Sequence, residues 1–166
     1  MGTRSYIAKD IGSGKYLVIF CQLESHLETT GKLLTEYYNT PEKVDALLSL
    51  GDIYFLGEKI EPDPALPHDW YSKDYQKDAT LAYGRDCGEY DWPAEEMTLE
   101  DMEDNDAGAE FIYIFTAEQE WKYCCPVAPD VRWRNVRNEL AAETEISNQN
   151  SEEQDCKESC DSVLFM

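Results

Sequence analysis

The sequence predicts an α+β domain: a mainly antiparallel sheet of about five strands, with two or three helices packed on one face. Three observations predict it. Two pairs of β-branched and aromatic runs flank tight turns, two capped amphipathic helix patterns follow one another, and 42% hydrophobic residues over 166 positions suffice for a core.

Residues 4–9 ("RSYIAK") and 15–23 ("KYLVIFCQL") read as strands joined by "DIGSG", a hairpin turn. A phosphate-binding loop is excluded, because that pattern needs glycine at Lys9 and serine or threonine at Tyr16. In "SHLETTGKLLTEYYNT", Ser25 and Glu28 have capping-box spacing, and Leu27, Gly31, Leu34 and Tyr38 share one helical face. A second helix follows, with Thr40 as cap, Pro41 in the first turn, an apolar stripe of Val44, Leu47 and Leu48, and Gly51 as stop. "DIYFLGEKI" is compatible with a strand, and the three prolines of "EPDPALPHDW" require a loop.

Residues 79–84 ("ATLAYG") predict a further strand. "EFIYIFT" (110–116) and "EWKYCC" (120–125) predict a second hairpin, with Phe111, Tyr113 and Phe115 on one face. "DVRWRNVRNELAAE" predicts a last helix capped by Asp130, with Trp133, Val136 and Leu140 inward. The domain is expected to span 1–144. The polar, aperiodic stretch 145–166 is expected to be a disordered tail.

Charge is the outlier. Thirty-five acidic and fourteen basic residues leave a net −21. A nucleic-acid binder needs the opposite sign to neutralise phosphates, so DNA, RNA and anionic membranes are expected to be repelled. The amino terminus lacks an apolar leader pattern, no stretch approaches the ~18 apolar residues of a membrane span, and Tyr6 replaces the hydroxyl residue that a myristoylation site wants. The six cysteines show no paired CxxC spacing and no nearby histidine partner, which predicts reduced thiols in a cytoplasm, with no metal and no cofactor.

From Asp86 through Glu120 stand thirteen carboxylates and no basic side chain. A solvated face is the usual meaning of such a run. The sharper account is a surface that imitates nucleic acid, whose duplex carries one charge per ~1.7 Å of axis. Thr98 with Asp101 offers a helix start and Leu99 with Met102 an apolar grip, while Glu100, Glu103 and Asp104 repel by about 0.2–0.5 kcal/mol per pair. The expected partner-binding surface is Glu95, Glu96, Glu100, Asp101, Glu103, Asp104 and Asp106.

An enzyme alternative also has residues. Asp63 after Pro62, with Glu120 and Lys122 in "EWK", matches the PD…ExK arrangement of metal-dependent nucleases, in which the acids hold Mg²⁺. The motif is short and the overall field opposes its substrate. Other carboxylate-pair hydrolysis is open too, because so many acids allow any two to meet. His26 and His68 read as surface residues, and no serine or cysteine motif marks either as a base. Arg132, Arg134 and Arg137 form the basic cluster of the last helix, read as a solvent face.

Three stretches, "MGTRSYIA", "FCQLESHLETTGKLLTEYYNTPEKVDALLSLGDI" and "AYGRDCGE", resemble a family of small proteins encoded by bacteriophages and their bacterial hosts. Its members open with MGTRS, carry a YCHWDGYP-like segment before a helix ending in HYN, and later show AYGRDRGE. The resemblance covers 1–57 and 80–90 and, more loosely, the strand pair after 110. It implies action inside a bacterial cytoplasm, alongside or against host proteins, and brings no assigned activity. Here Gln22, Leu23, Glu24 and Ser25 replace the family's His-Trp-Asp-Gly stretch, so any imidazole chemistry of relatives is missing. Arg85 and Asp86 survive from the family's GRD and are expected to lock a loop or hold an anion. The combined expectation is a non-enzymatic acidic protein that binds and inhibits a host nucleic-acid-handling protein, such as a defence nuclease or a transcription component.

Overall fold

The computed structural model describes residues 2–71, 73–88, 92–104, 107–129 and 132–144. β1 (Ser5–Gly12) and β2 (Lys15–Cys21) form the first hairpin, in register from Ser5↔Cys21 to Asp10↔Tyr16, with a shift at Ile11 before Gly12↔Lys15. Its turn takes three residues in a row to positive φ, at Gly12, Ser13 and Gly14, which is why the sequence there is Gly-Ser-Gly.

The chain then gives a π-helical turn, Leu27–Gly31, running into α1 (Lys32–Tyr37), followed by α2 (Pro41–Leu48). Short strands β3 (Ile53–Phe55) and β4 (Leu81–Ala82) bracket a long irregular segment, and α3 (Tyr83–Cys87) follows directly. β5 (Glu95–Thr98), α4 (Leu99–Glu103), the hairpin β6 (Phe111–Phe115) and β7 (Trp121–Cys124), β8 (Arg134–Asn135) and α5 (136–144) complete the chain.

The fold is α+β, and its sheet differs from the expectation. It is an open mixed sheet of eight strands in the order β4-β3-β2-β1-β6-β7-β8, with β5 also on β2. β1 pairs β6 and β2 pairs β3 in parallel, so the sheet is mixed, although its other five pairings are antiparallel as expected. Turn chemistry reveals hairpins, whereas the docking of one hairpin beside another is a non-local choice with no local signal.

The helices also exceed two or three, and they do not share one face. One core packs Leu27, Leu34, Tyr38, Val44, Leu47 and Leu48 against Ile7, Ile19, Tyr113 and Phe115, with Val136 and Leu140 of α5. A second core on the opposite face gathers Tyr6, Ala8, Val18, Ile112 and Ile114 under Met102 of α4. The pleat sends alternate residues of Phe111–Phe115 into the two cores, and a strand buried on both faces reads as a continuous apolar run.

Three local expectations are corrected. Ser25 caps nothing; its hydroxyl is buried beside Ser5 Oγ at 2.8 Å, and Tyr113 OH donates to its carbonyl at 2.7 Å. The last helix starts later than expected, because Arg134 and Asn135 pair with β7 and the Asn135 side chain then accepts the Asn138 N–H. Trp133 accordingly packs in the second core, whereas Val136 enters the first. Asp130 and the stretch 145–166 lie outside the described residues. No helix among the described residues is long and apolar enough to cross a membrane.

Candidate functional site

The acidic run lies on β5 and α4, and local chemistry distributes its side chains. β5 pairs antiparallel with β2, Glu95 opposite Val18 and Glu96 opposite Leu17. Val18 belongs to the second core and Leu17 packs on the first, so the two adjacent glutamates point to opposite faces of the sheet. Glu96 meets Lys15 Nζ at 3.1 Å, in an exposed pair of little energetic weight.

α4 starts at a full capping box. The Asp101 amide donates to Thr98 Oγ1, and the Thr98 amide donates to the Asp101 carboxylate at 3.0 Å, which holds the pKa of Asp101 below its ordinary value. Met102 is fully buried, so the helix is pinned by its inner side, and Glu100, Glu103 and Asp104 are exposed. Arg4 reaches the end of this segment, 3.4 Å from the Ala107 carbonyl. Of the seven expected residues, Glu100, Glu103 and Asp104 thus share an outward arc, Asp101 serves the cap, Glu95 and Glu96 diverge, and Asp106 lies outside the described residues.

Glu95 turns toward a residue that the sequence reading passed over. Asp52 sits between α2 and β3, where the outer edge of β2 changes partner from β5 (Lys15 to Val18) to β3 (Cys21). The amide of Phe20 falls in that gap, and Asp52 Oδ1 accepts it at 2.9 Å. The Asp52 backbone ties in two further segments, donating to the Trp92 carbonyl at 2.8 Å and accepting from Tyr83 N at 3.1 Å. One residue therefore joins β2, β3, the β4–α3 junction and the lead-in to β5. Beside it opens a cavity of about 260 Å³, lined by Tyr6, Phe20, Asp52, Trp92, Glu95 and Met97, among others.

Burial pushes the Asp52 carboxyl up from its ordinary 3.8 to about 6, the Phe20 N–H pulls it partly back, and the nearby Glu95 charge raises it further. The sign follows from linkage. The folded state holds the Asp52 proton more tightly than the unfolded chain does, so ionisation opposes folding, fully above about pH 6 and not at all below about 3.8. Asp52→Asn keeps the acceptor for Phe20 N–H and removes the desolvated charge. The variant is expected to have a higher urea midpoint than the wild type at pH 7.5. That advantage should fade as the pH falls through 6 toward 4, which denaturation at several pH values checks directly.

The remaining candidates are structural in their contacts. Arg85 Nε and Nη2 each lie 2.9 Å from Asp86 carboxylate oxygens, and Nη2 also donates to the Thr80 carbonyl at 2.9 Å. Asp86 accepts the Ala82 amide at 2.8 Å, which ties the group to β4. His68 belongs to this group, and its side chain is only 5% exposed, not at the surface as expected. Its Nδ1 accepts the Gln76 amide at 2.9 Å and its Nε2 faces the Thr80 carbonyl at 3.0 Å, so both nitrogens are committed to the loop 57–80. His26 is exposed and meets Thr3 Oγ1 at 2.6 Å.

The nuclease constellation is not assembled. Asp63 bonds within its own loop, to Ala65 N and, through its backbone, to Gln76. Glu120 lies at the β6–β7 turn near Asn135, with β2, β1 and β6 separating β3 from β7. No group of three His, Cys, Asp or Glu among the described residues is arranged to hold a metal ion. The Cys21 thiol is raised by burial to about 11 and that of Cys124 to about 12, so neither is a nucleophile near neutrality. Arg134 pairs with Glu139 at 3.8 Å, and Arg137 is exposed.

No family model matches the chain, and neither a curated protein nor a solved structure matches it. The functional reading therefore draws on the residues themselves.

Proposed function

We propose that this chain is a non-enzymatic acidic binding protein of bacteriophage type, acting in a bacterial cytoplasm, whose β5–α4 surface engages the basic, nucleic-acid-handling face of a host protein. One observation carries the reading: Glu100, Glu103 and Asp104 stand exposed on a helix held at its start by the Thr98–Asp101 box and on its inner side by buried Met102. Their mutual repulsion works against a free helix, and a cationic partner relieves it. With a net −21 behind them, these carboxylates present a field like that of a polyanion, and a cleft built for phosphates accepts it. Occupation of that cleft would exclude the host protein's own ligand, which is the sense in which the chain inhibits.

Affinity capture from bacterial lysate at low and high salt tests this. A basic partner is expected at low salt, lost near 1 M, where screening shortens to roughly 3 Å, and displaced by competing duplex DNA. Capture indifferent to both salt and DNA would point to an ordinary apolar interface and defeat the proposal.

The carboxylate-hydrolase alternative has an exposed acid pair, Glu28–Glu143, whose side-chain hydrogen bond raises Glu143, and a more buried one, Asp52–Glu95 beside its cavity. The cavity volume of about 260 Å³ argues against it. Small-molecule pockets enclose roughly 300–1,000 Å³, and a hydrolase must seat both its substrate and an attacking water.

A further inference from the structure

The cavity beside Asp52 carries features that a plain anionic surface does not need. Tyr6 and Phe20, cross-strand neighbours, pack edge to face in its wall, with ring centroids 5.9 Å apart. Trp92, on the same wall, is 52% exposed, a large cost for an indole left in water. Met97 supplies a soft apolar side, and the Asp52 and Glu95 carboxylates complete the lining. Rings together with carboxylates form a site for an organic cation, because an aromatic face attracts positive charge while the acids neutralise it. Among the described residues, the Phe20 amide engages Oδ1 of Asp52, which leaves Oδ2 to a forked donor.

The geometry points to this cavity as the seat of a single arginine side chain presented by the basic partner. The inference rests on the reading given under Proposed function and names one anchor within it. The volume of about 260 Å³ suits one side chain and falls below that of a metabolite pocket. Arginine is favoured over lysine on chemistry. A guanidinium is flat, weakly hydrated and able to stack on a ring while forking onto a carboxylate, whereas an ammonium keeps its water and meets the site as a point charge. Retaining Asp52 as a carboxylate also becomes intelligible, since a charge that opposes folding earns its place where a cation arrives to neutralise it.

The test uses the full chain and three short glycine–lysine peptides that differ only at the central position: arginine, lysine or citrulline. Citrulline keeps the shape of arginine without its charge. Calorimetry at low salt is expected to show the arginine peptide binding about tenfold tighter than the other two, with the Trp92 indole resonance shifting only for arginine. Asp52→Asn and Glu95→Gln should each erase the preference, whereas Glu42→Gln, on α2 and outside both the cavity and the β5–α4 surface, should preserve it. Equal binding of the arginine and lysine peptides overturns the arginine seat and leaves the anionic surface standing. A preference that survives in both cavity variants overturns the placement. Binding of none of the three peptides overturns the seat and the surface together.

Discussion

Reversing Glu100, Glu103 and Asp104 together to lysine is expected to weaken partner capture about a hundredfold at physiological salt, which corresponds to roughly 2.8 kcal/mol. The matched control reverses Glu36, Glu42 and Glu118, three exposed acids on α1, α2 and the β6–β7 turn. Each reversal changes the charge by two, so both triples move the net from −21 to −15. Bulk charge is thus equal in the two variants, and only placement differs. Measured at physiological salt, the control is expected to lose less than about threefold, because exposed charges beyond roughly 8 Å are screened there.

The fold should survive the site triple, for reasons internal to α4. Asp101 and Thr98 keep the capping box, and Met102 keeps its buried position. A lysine at position 100 opposes the helix dipole, but lysines at 103 and 104 favour it, so these effects nearly cancel. Circular dichroism should therefore be unchanged. Equal losses from both triples would mean that net charge, rather than this surface, governs capture.

How far the sequence reveals such a surface depends on which residues are read. The Gly-Ser-Gly hairpin, the Thr40–Pro41 helix start and the Phe111–Phe115 strand were all legible, because turn chemistry, capping and two-residue alternation act over a few neighbours. The helix start at Thr98 was legible for the same reason. The divergence of Glu95 and Glu96 was not, because "EEMT" has poor intrinsic strand preference and becomes β5 only by pairing with β2, some eighty residues earlier in the chain.

Asp52 was invisible for a stronger reason. Its role exists only because a β2 edge left open between two other strands needs an acceptor for Phe20, 32 positions away. His68 misled in the opposite direction. A proline-rich loop suggests exposure, but Gln76 folds this loop back on itself through the carbonyls of Asp63 and Leu66 and buries the ring. Composition predicts where charge accumulates; only long-range pairing decides which way each carboxylate points.

Gly51→Ala is expected to have the largest effect on stability, and it tests whether this long-range pairing holds the candidate site together. Gly51 has φ +72°, and a Cβ built on it would lie 2.2 Å from the Trp92 carbonyl oxygen and 3.0 Å from its carbon. Both atoms are backbone, so neither can rotate away. Gly88 provides the comparison, with φ +63° and nothing within 4 Å of its Cβ position. Gly88→Ala meets only the conformational cost of a left-handed alanine, about 1 kcal/mol. Gly51→Ala meets that cost and must also push Trp92 away, breaking the Asp52 N–H bond to the same carbonyl, for a total on the order of 3 kcal/mol. Chemical denaturation of the two variants measures the difference. The same displacement moves Trp92 and the lead-in to β5, so Gly51→Ala should also lose the arginine preference under conditions where it remains folded, while Gly88→Ala keeps it. Equal destabilisation by the two substitutions would show that the Gly51–Trp92 contact does not fasten β5 to β3, and the cavity between them would then lack the rigidity that an anchor for a single side chain demands.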